Sequence, residues 1–128
     1  MRTTQYFDIL GNMKSKDAIL ALSALAHEGR LSAWRLLVKA GPKGMPAGEI
    51  AQRLRTPPSS LSSNLLLLAN AGLVTSERDG RSIIYRVDFN AMQRLLGFLV
   101  RDCCNGAPEV SAPLAAVLST CGADNCRR

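Results

Sequence analysis

Apolar residues recur at helical spacing through the first part of the chain. Residues 16–26 and 28–39 each carry such a pattern, which predicts two helices, the first with Ser15 as its cap. The residues at helical spacing in the first helix are Ile19, Leu22 and Ala26. The predicted apolar stripe of the second helix is Leu31, Trp34, Leu37 and Val38.

A segment rich in glycine and proline, AGPKGMPAG, separates these helices from a second helical pair. The short helix AGEIAQRLR comes first, and the turn TPPSS follows it. Its predicted inward residues are Ile50, Ala51 and Leu54. Pro58 suits the first turn of the next helix, where its missing N–H costs nothing. That helix runs to about Ala71 with Gly72 as its cap. It is predicted to bury Leu61, Leu65 and Leu68.

The pattern becomes strand-like after this helix. The runs LVTSE and SIIYRVD flank RDGR, and Asp-Gly between two such runs is a strong hairpin signal. A last helix follows, capped by Asp88 or Asn90. Its predicted inward stripe is Phe89, Met92, Leu95, Leu96, Leu99 and Val100, and Phe98 lies off that stripe. Little periodicity remains beyond it, apart from one short helix predicted in PLAAVLST.

The order of these elements is that of a winged helix-turn-helix, a mainly α fold with a β-hairpin wing. We expect a DNA-binding and dimerisation domain at residues 1–104, followed by a cysteine-containing tail at 105–128. A lone winged helix reads few base pairs, and the last helix has apolar residues on more than one face. Both features favour a homodimer that places two reading helices about one DNA turn apart.

The charge of the chain points to a class of partner. The 128 residues carry a net charge of +6, and twelve of the sixteen basic residues are arginines. Because arginine donates bidentately to phosphate, a basic small domain suggests double-stranded DNA as partner. The sequence contains no run of 18 apolar residues, so no membrane span is predicted. The N-terminal segment lacks the continuous apolar core of a signal peptide. The chain is therefore predicted to be cytoplasmic.

The second helix of the helix-turn-helix offers short polar side chains to a major groove. The DNA-contacting residues predicted on it are Ser59, Ser60, Ser62, Ser63 and Asn64. Four serines are otherwise poor helix design, because Ser competes for backbone hydrogen bonds. On the hairpin, Arg78 and Arg81 flank the turn and are predicted to reach phosphates or the minor groove. The alternative for the serines is a solvent-exposed helix face with good capping. The alternative for the two arginines is a turn whose charge only keeps the protein soluble.

The segments ALAHEGRLSAWRLLVKAG, SSLSSNLLLLANAGLV and RDGRSIIYRV resemble the ArsR/SmtB family of bacterial metalloregulators, over residues from about 17 to 104. The family pattern usually has His where this chain has Asn64. The resemblance implies a homodimer built on the first and last helices. It also implies a repressor that leaves its DNA when a soft metal or metalloid binds.

All four cysteines lie beyond residue 102, and Cys103 and Cys104 are adjacent. Neighbours on an intact helix point about 100° apart, so two such thiolates grip one ion poorly. Gly106 follows closely, and glycine is the residue with which helices commonly end. Binding of a thiophilic ion across the pair is therefore expected to distort the last turn and shift the DNA-reading heads.

Soft, sulfur-only ligation favours trivalent arsenic or antimony over zinc. In arsenic-responsive members of the resembling family a third Cys follows a PE segment, but here that segment ends in Ser111. Two alternatives stay open. Either Cys121 or Cys126 supplies the third thiolate for arsenite, or the inducer is a methylated trivalent arsenical that needs only two.

Two other classes of function compete with an arsenical-responsive repressor. A redox-sensing repressor, in which the cysteines oxidise, is the alternative within the same fold. A thiol enzyme is disfavoured, because the vicinal pair follows a helix C terminus, where the helix dipole opposes thiolate formation. A winged-helix module that binds another protein is the remaining alternative. The chain is accordingly predicted to be no enzyme and to have no catalytic cofactor.

Overall fold

The computed structural model describes residues 13–100, which form five α-helices and a three-stranded antiparallel sheet. The helices are α1 (Ser15–Leu25), α2 (Glu28–Ala40), α3 (Ala47–Leu54), α4 (Pro58–Asn70) and α5 (Phe89–Val100). The strands are β1 (Met45–Pro46), β2 (Val74–Asp79) and β3 (Ser82–Val87), in the order β1–β3–β2. A 3₁₀ turn at Gly41–Lys43 joins α2 to β1. This architecture confirms the predicted winged helix-turn-helix.

The helix ends follow from local chemistry, with one exception. Asp88 caps α5, because its Oδ1 accepts a hydrogen bond from the Ala91 N–H at 3.1 Å. Ala71 holds the C-cap position of α4, and Gly72 after it adopts a φ of +80°, the left-handed conformation in which glycine commonly ends a helix. The prediction of Ser15 as the cap of α1 is wrong. Ser15 is the first helical residue, and Lys14 holds the cap position without a side-chain hydrogen bond.

The core lies between α2, α3, α4 and the start of β2. Its largest fully buried side chains are Leu37, Ile50, Leu65, Leu68 and Leu73. The buried face of α1 consists of Ala18, Ala21 and Ala24, and such small residues let α1 approach its neighbours closely. Ile19 and Leu22, which the sequence places at helical spacing, are exposed as a result.

Two predicted apolar stripes differ from the structure. In α2, Leu31 is 40% exposed, whereas Ala33 is fully buried beside Leu37. In α5, the residues that face the core are Ala91 and Leu95, which are buried, and Phe98, which packs against the core. Two residues of α5 that were predicted to face the core are therefore exposed. They are Leu96 and Leu99.

The short strand β1 was absent from the prediction, and it ties the α2–α3 connection to the wing. Met45 pairs with Tyr85 and Pro46 with Ile84. Gly44 precedes it with a φ of +73°, and a methyl group on its Cα would lie 2.5 Å from the Tyr85 carbonyl oxygen. Only glycine combines this backbone conformation with so close an approach to β3.

The predictions for the tail concern residues outside those that the structure describes. They include the boundary at residue 104, the short helix in PLAAVLST and the four cysteines. Among the helices between residues 13 and 100, none combines the length and apolar character that a bilayer crossing requires.

Candidate nucleic-acid interface

Helix α4 presents an apolar face to the core and a cluster of serines to solvent. Leu61, Leu65 and Leu68 are buried. The four predicted DNA-contacting serines are all exposed on the first two turns: Ser59, Ser60, Ser62 and Ser63. The hydroxyl groups of this surface can donate to and accept from phosphates or base edges. The structure therefore brings the predicted serines together on an accessible surface.

The start of α4 adds backbone donors that the side-chain pattern does not show. The helix begins at Pro58 after Pro57, and no side chain caps its first turn. The N–H groups of Ser59 and Ser60 thus have no intrahelical acceptor. The partial positive charge of a helix N terminus favours an anion such as a phosphate group. The Pro-Pro pair in front of the serines is the sequence signal for this feature.

Asn64 occupies a different environment from the serines. Its side chain is half-buried and lies against the start of α2. A methyl group on Gly29 would come within 2.9 Å of the Asn64 Nδ2 atom and 3.2 Å of the His27 Cε1 atom. His27 itself caps α2, since its Nδ1 accepts hydrogen bonds from the Gly29 and Arg30 N–H groups at 3.1 and 3.3 Å. Asn64 therefore links α4 to the α1–α2 junction.

The wing is a regular hairpin with an exposed basic tip. Asp79 pairs with Ser82, which leaves Gly80 and Arg81 as the two-residue loop. Gly80 takes a φ of +65°, which suits the first position of such a loop. Arg78 and Arg81 are both exposed and lie on the two sides of the tip. The predicted basic residues of the wing are thus accessible to a phosphate backbone.

A third arginine of the wing has a structural role. Arg86 donates from Nε to the Pro42 carbonyl oxygen at 3.1 Å, and its Nη1 lies 2.8 Å from Glu77 Oε1. These bonds join β3 to β2 and to the turn before β1. The wing is in this way fixed relative to the helix-turn-helix. Arg53 of α3 is also paired, with Glu49 at 2.9 Å.

The predicted ligands Cys103 and Cys104 lie outside the described residues, as do Cys121 and Cys126. Across residues 13–100, no group of three or more His, Cys, Asp or Glu side chains could hold a metal ion. The metalloid site therefore stays a prediction from the sequence.

Comparison with known proteins identifies the family. The nodulation protein NolR of Rhizobium meliloti is 35% identical over 89 residues, which cover 67% of this chain and 70% of NolR. The structure of an ArsR-like transcriptional regulator from Rhodococcus sp. RHA1 superposes with a TM-score of 0.61 at 26% identity, covering 82% of this chain and 92% of that one. The chain belongs to the ArsR/SmtB family of DNA-binding transcriptional regulators. No protein-family model matches the sequence.

Two further solved structures are similar to this ArsR/SmtB chain. Reduced HlyU from Vibrio cholerae N16961 is 31% identical with a TM-score of 0.54, and the match covers 66% of this chain and 90% of HlyU. A protein described as a possible transcriptional regulator for arsenical resistance is 26% identical with a TM-score of 0.56, covering 75% of this chain and 94% of the other.

The sequence pattern did not predict that two leucines of α4 are exposed. Leu66 and Leu67 follow the serines along the helix, and both have large accessible surfaces. The run of four leucines from Leu65 to Leu68 hides the difference between inward and outward members. Helical phase would have separated them, because Leu66 lies three and four residues after Ser63 and Ser62.

Proposed function

We propose that this ArsR/SmtB protein is a homodimeric repressor that trivalent arsenicals release from a palindromic operator. The observation that carries the proposal is the position of the vicinal thiols. Cys103 follows Leu99 by four residues, and Leu99 is a 52% exposed apolar residue of α5. Ligand binding at the pair would therefore act at the end of a helix with an exposed apolar flank.

That apolar flank supports the dimer. α1 and α5 contact each other, and each exposes large aliphatic side chains. The most exposed of these are Ile19, Leu20 and Leu99. Large exposed aliphatic side chains on two helices in contact are typical of a protein interaction site. A second copy of the chain would cover it and pair two α4 helices for a two-fold symmetric DNA site.

The coupling between the thiols and DNA follows from this arrangement. The dimer surface fixes the distance between the two α4 helices, and α5 contributes to that surface. A ligand that bridges Cys103 and Cys104 would disfavour a helical conformation at the pair, since adjacent side chains of an intact helix diverge. The ligand would release DNA because it favours a dimer geometry that matches the operator poorly.

The chemistry of the thiols and one similar protein support an arsenical ligand. Soft thiolates bind trivalent arsenic well, whereas the carboxylates nearest in sequence, Asp102 and Glu109, are hard ligands at unfavourable spacing. The protein described as a possible regulator for arsenical resistance shares the fold. Because Ser111 offers only a hard hydroxyl, the two thiolates match methylarsenite, which has two exchangeable positions, better than arsenite, which has three.

A redox-sensing repressor is the second candidate. One solved relative, HlyU, is described specifically as reduced. In this alternative, oxidation of the cysteines releases DNA, and a reducing agent restores binding.

A DNA-release titration with the full-length protein tests the proposal. The operator duplex is labelled, and arsenite, methylarsenite, antimonite, zinc and cadmium are added separately under reducing conditions. We expect methylarsenite to release DNA at the lowest concentration, with zinc and cadmium far weaker. Release by zinc alone would contradict the proposal. Release by an oxidant, reversed by a reductant and insensitive to arsenicals, would establish the redox alternative.

The tail cysteines provide the control for ligand number. If two thiolates suffice, the double variant Cys121→Ser/Cys126→Ser should keep its methylarsenite response. The variant Ser111→Cys should increase the arsenite response, because it adds the third thiolate. Loss of both responses in the tail variant would show that a distal cysteine is a ligand.

A further inference from the structure

Leu66 has an exposure that the fold does not explain. Its side chain is 60% accessible, the highest value among the leucines of α4. The core beneath α4 is already filled by Leu61, Leu65 and Leu68. Truncating Leu66 would therefore remove little from the interior, so its apolar surface is available to a partner.

The neighbours of Leu66 on α4 indicate which molecule its exposed side chain would contact. Residues three and four apart on a helix are neighbours, so Leu66 lies beside Ser63 and Ser62 on the outward side of α4. The serines and the uncapped start of the helix form the candidate DNA surface. Leu66 continues this surface by one turn, and its partner is accordingly the same DNA duplex.

The composition of α4 restricts how it can read bases. Its sequence, PSSLSSNLLLLAN, contains no charged residue, so it lacks the Arg or Lys that pairs with guanine in the major groove. Serine hydroxyls fit more than one base and discriminate weakly. Asn64, the first amide of the helix, is half-buried against Gly29. The second amide, Asn70, is exposed but is the last residue of the helix, so the serines are the polar side chains of the first two turns.

An apolar side chain can still distinguish one base. Thymine carries a C5-methyl group in the major groove, and aliphatic side chains make contact with it. Leucine cannot hydrogen-bond a phosphate, so contact with the DNA backbone would leave its surface without a favourable partner.

We propose that Leu66 is a specificity-determining residue that packs against the C5-methyl group of a thymine in each operator half-site. The proposal rests on the DNA-binding function proposed above and adds a base preference to it. It predicts operators with a conserved thymine opposite the third turn of α4.

Replacing thymine by deoxyuridine tests the proposal with the wild-type protein. Full-length protein first selects a duplex from a random pool, and each thymine of the selected duplex is then changed to deoxyuridine in turn. Loss of one buried methyl group should weaken binding about fourfold at one position of each half-site, the equivalent of about 0.8 kcal/mol. Uniform affinities across the whole scan would overturn the proposal.

Leucine variants assign the effect to a residue. With Leu66→Ala, the deoxyuridine penalty at that position should fall to less than about 1.5-fold, because the methyl contact is gone. Leu66→Met keeps an aliphatic surface and should keep the penalty. The matched control is Leu67→Ala, an exposed leucine about 100° further round the same helix. If Leu67→Ala abolishes the penalty and Leu66→Ala preserves it, the assignment to Leu66 is wrong.

The same experiment separates this proposal from the proposed function. If no duplex is enriched over the random pool, the DNA-binding function fails. If a duplex is enriched but binds equally well with thymine or deoxyuridine at every position, the DNA-binding function stands and only the methyl contact is refuted.

Discussion

Asn64 lies between the start of α2 and the predicted DNA-contacting surface of α4. Its amide lies against Gly29 at the start of α2, while its neighbours on α4 are the exposed serines. Displacing the amide should therefore change the surface that DNA meets.

Gly29→Ala is expected to displace Asn64, since the added methyl group would lie 2.9 Å from Nδ2. The ratio of affinities for selected and random duplexes should fall several-fold in this variant. Asn64→Ala should lower the ratio too, but adding Gly29→Ala to it should have little further effect, because the displaced group is absent. Equal effects of Gly29→Ala in both backgrounds would show that the two residues are not coupled.

Among the individual residues, sequence reasoning located those with strong local signals. The exposed serines, Arg78 and Arg81 lie where the helix and hairpin patterns placed them. The half-burial of Asn64 could not be predicted, because it depends on Gly29, a residue 35 positions earlier on another helix. Exposed Leu66 was missed for a different reason, since hydrophobicity alone does not separate the core from an interface.

Among the secondary-structure elements, the packing of the segment before β1 against strand β3 of the wing requires a glycine at position 44. Gly44 has a φ of +73°, and a methyl group on its Cα would lie 2.5 Å from the Tyr85 carbonyl oxygen and 2.6 Å from the Arg86 Cγ atom. Gly44→Ala should lower the free energy of unfolding by about 1–3 kcal/mol through backbone strain and steric conflict. Chemical denaturation of the two proteins measures the difference.

Gly48→Ala in α3 is the matched control. A methyl group there would have no heavy atom within 4 Å, and the residue is helical. Alanine should therefore be neutral or stabilise by up to about 1 kcal/mol. A similar loss of stability in both variants would mean that the fit of Gly44 against β3 is not the cause.

Elements formed by local signals were predictable, and elements formed by distant contacts were not. Pro58, Gly72 and the Asp-Gly turn mark the ends of α4 and the tip of the wing within a few residues of sequence. Strand β1 is two residues long and exists through pairing with β3 about forty residues later. The faces of α1 and α5 were assigned incorrectly in part because each is apolar on more than one side.

At the scale of the whole molecule, the account requires a dimer through α1 and α5. Ile19→Glu places a charge on an outward side chain that is 63% exposed, so the monomer should remain folded. The charge should prevent burial of that surface. Light scattering should give twice the chain mass of 13.8 kDa for the wild type and the chain mass for the variant.

The control for the dimer is Leu31→Glu, which charges an exposed leucine on α2. This variant should remain dimeric and should bind DNA. Dissociation by Leu31→Glu together with no effect of Ile19→Glu would move the interface to α2.

We propose that thiolates beyond α5 control DNA binding, and a comparison of two proteins decides whether they do. Full-length wild type and Cys103→Ser are each bound to the labelled operator under reducing conditions and titrated with methylarsenite, with anisotropy as the readout. The account predicts equal affinities without ligand, within about twofold, and release from the wild type only. Equal release from both proteins, or failure of the ligand-free Cys103→Ser protein to bind the operator, would contradict it.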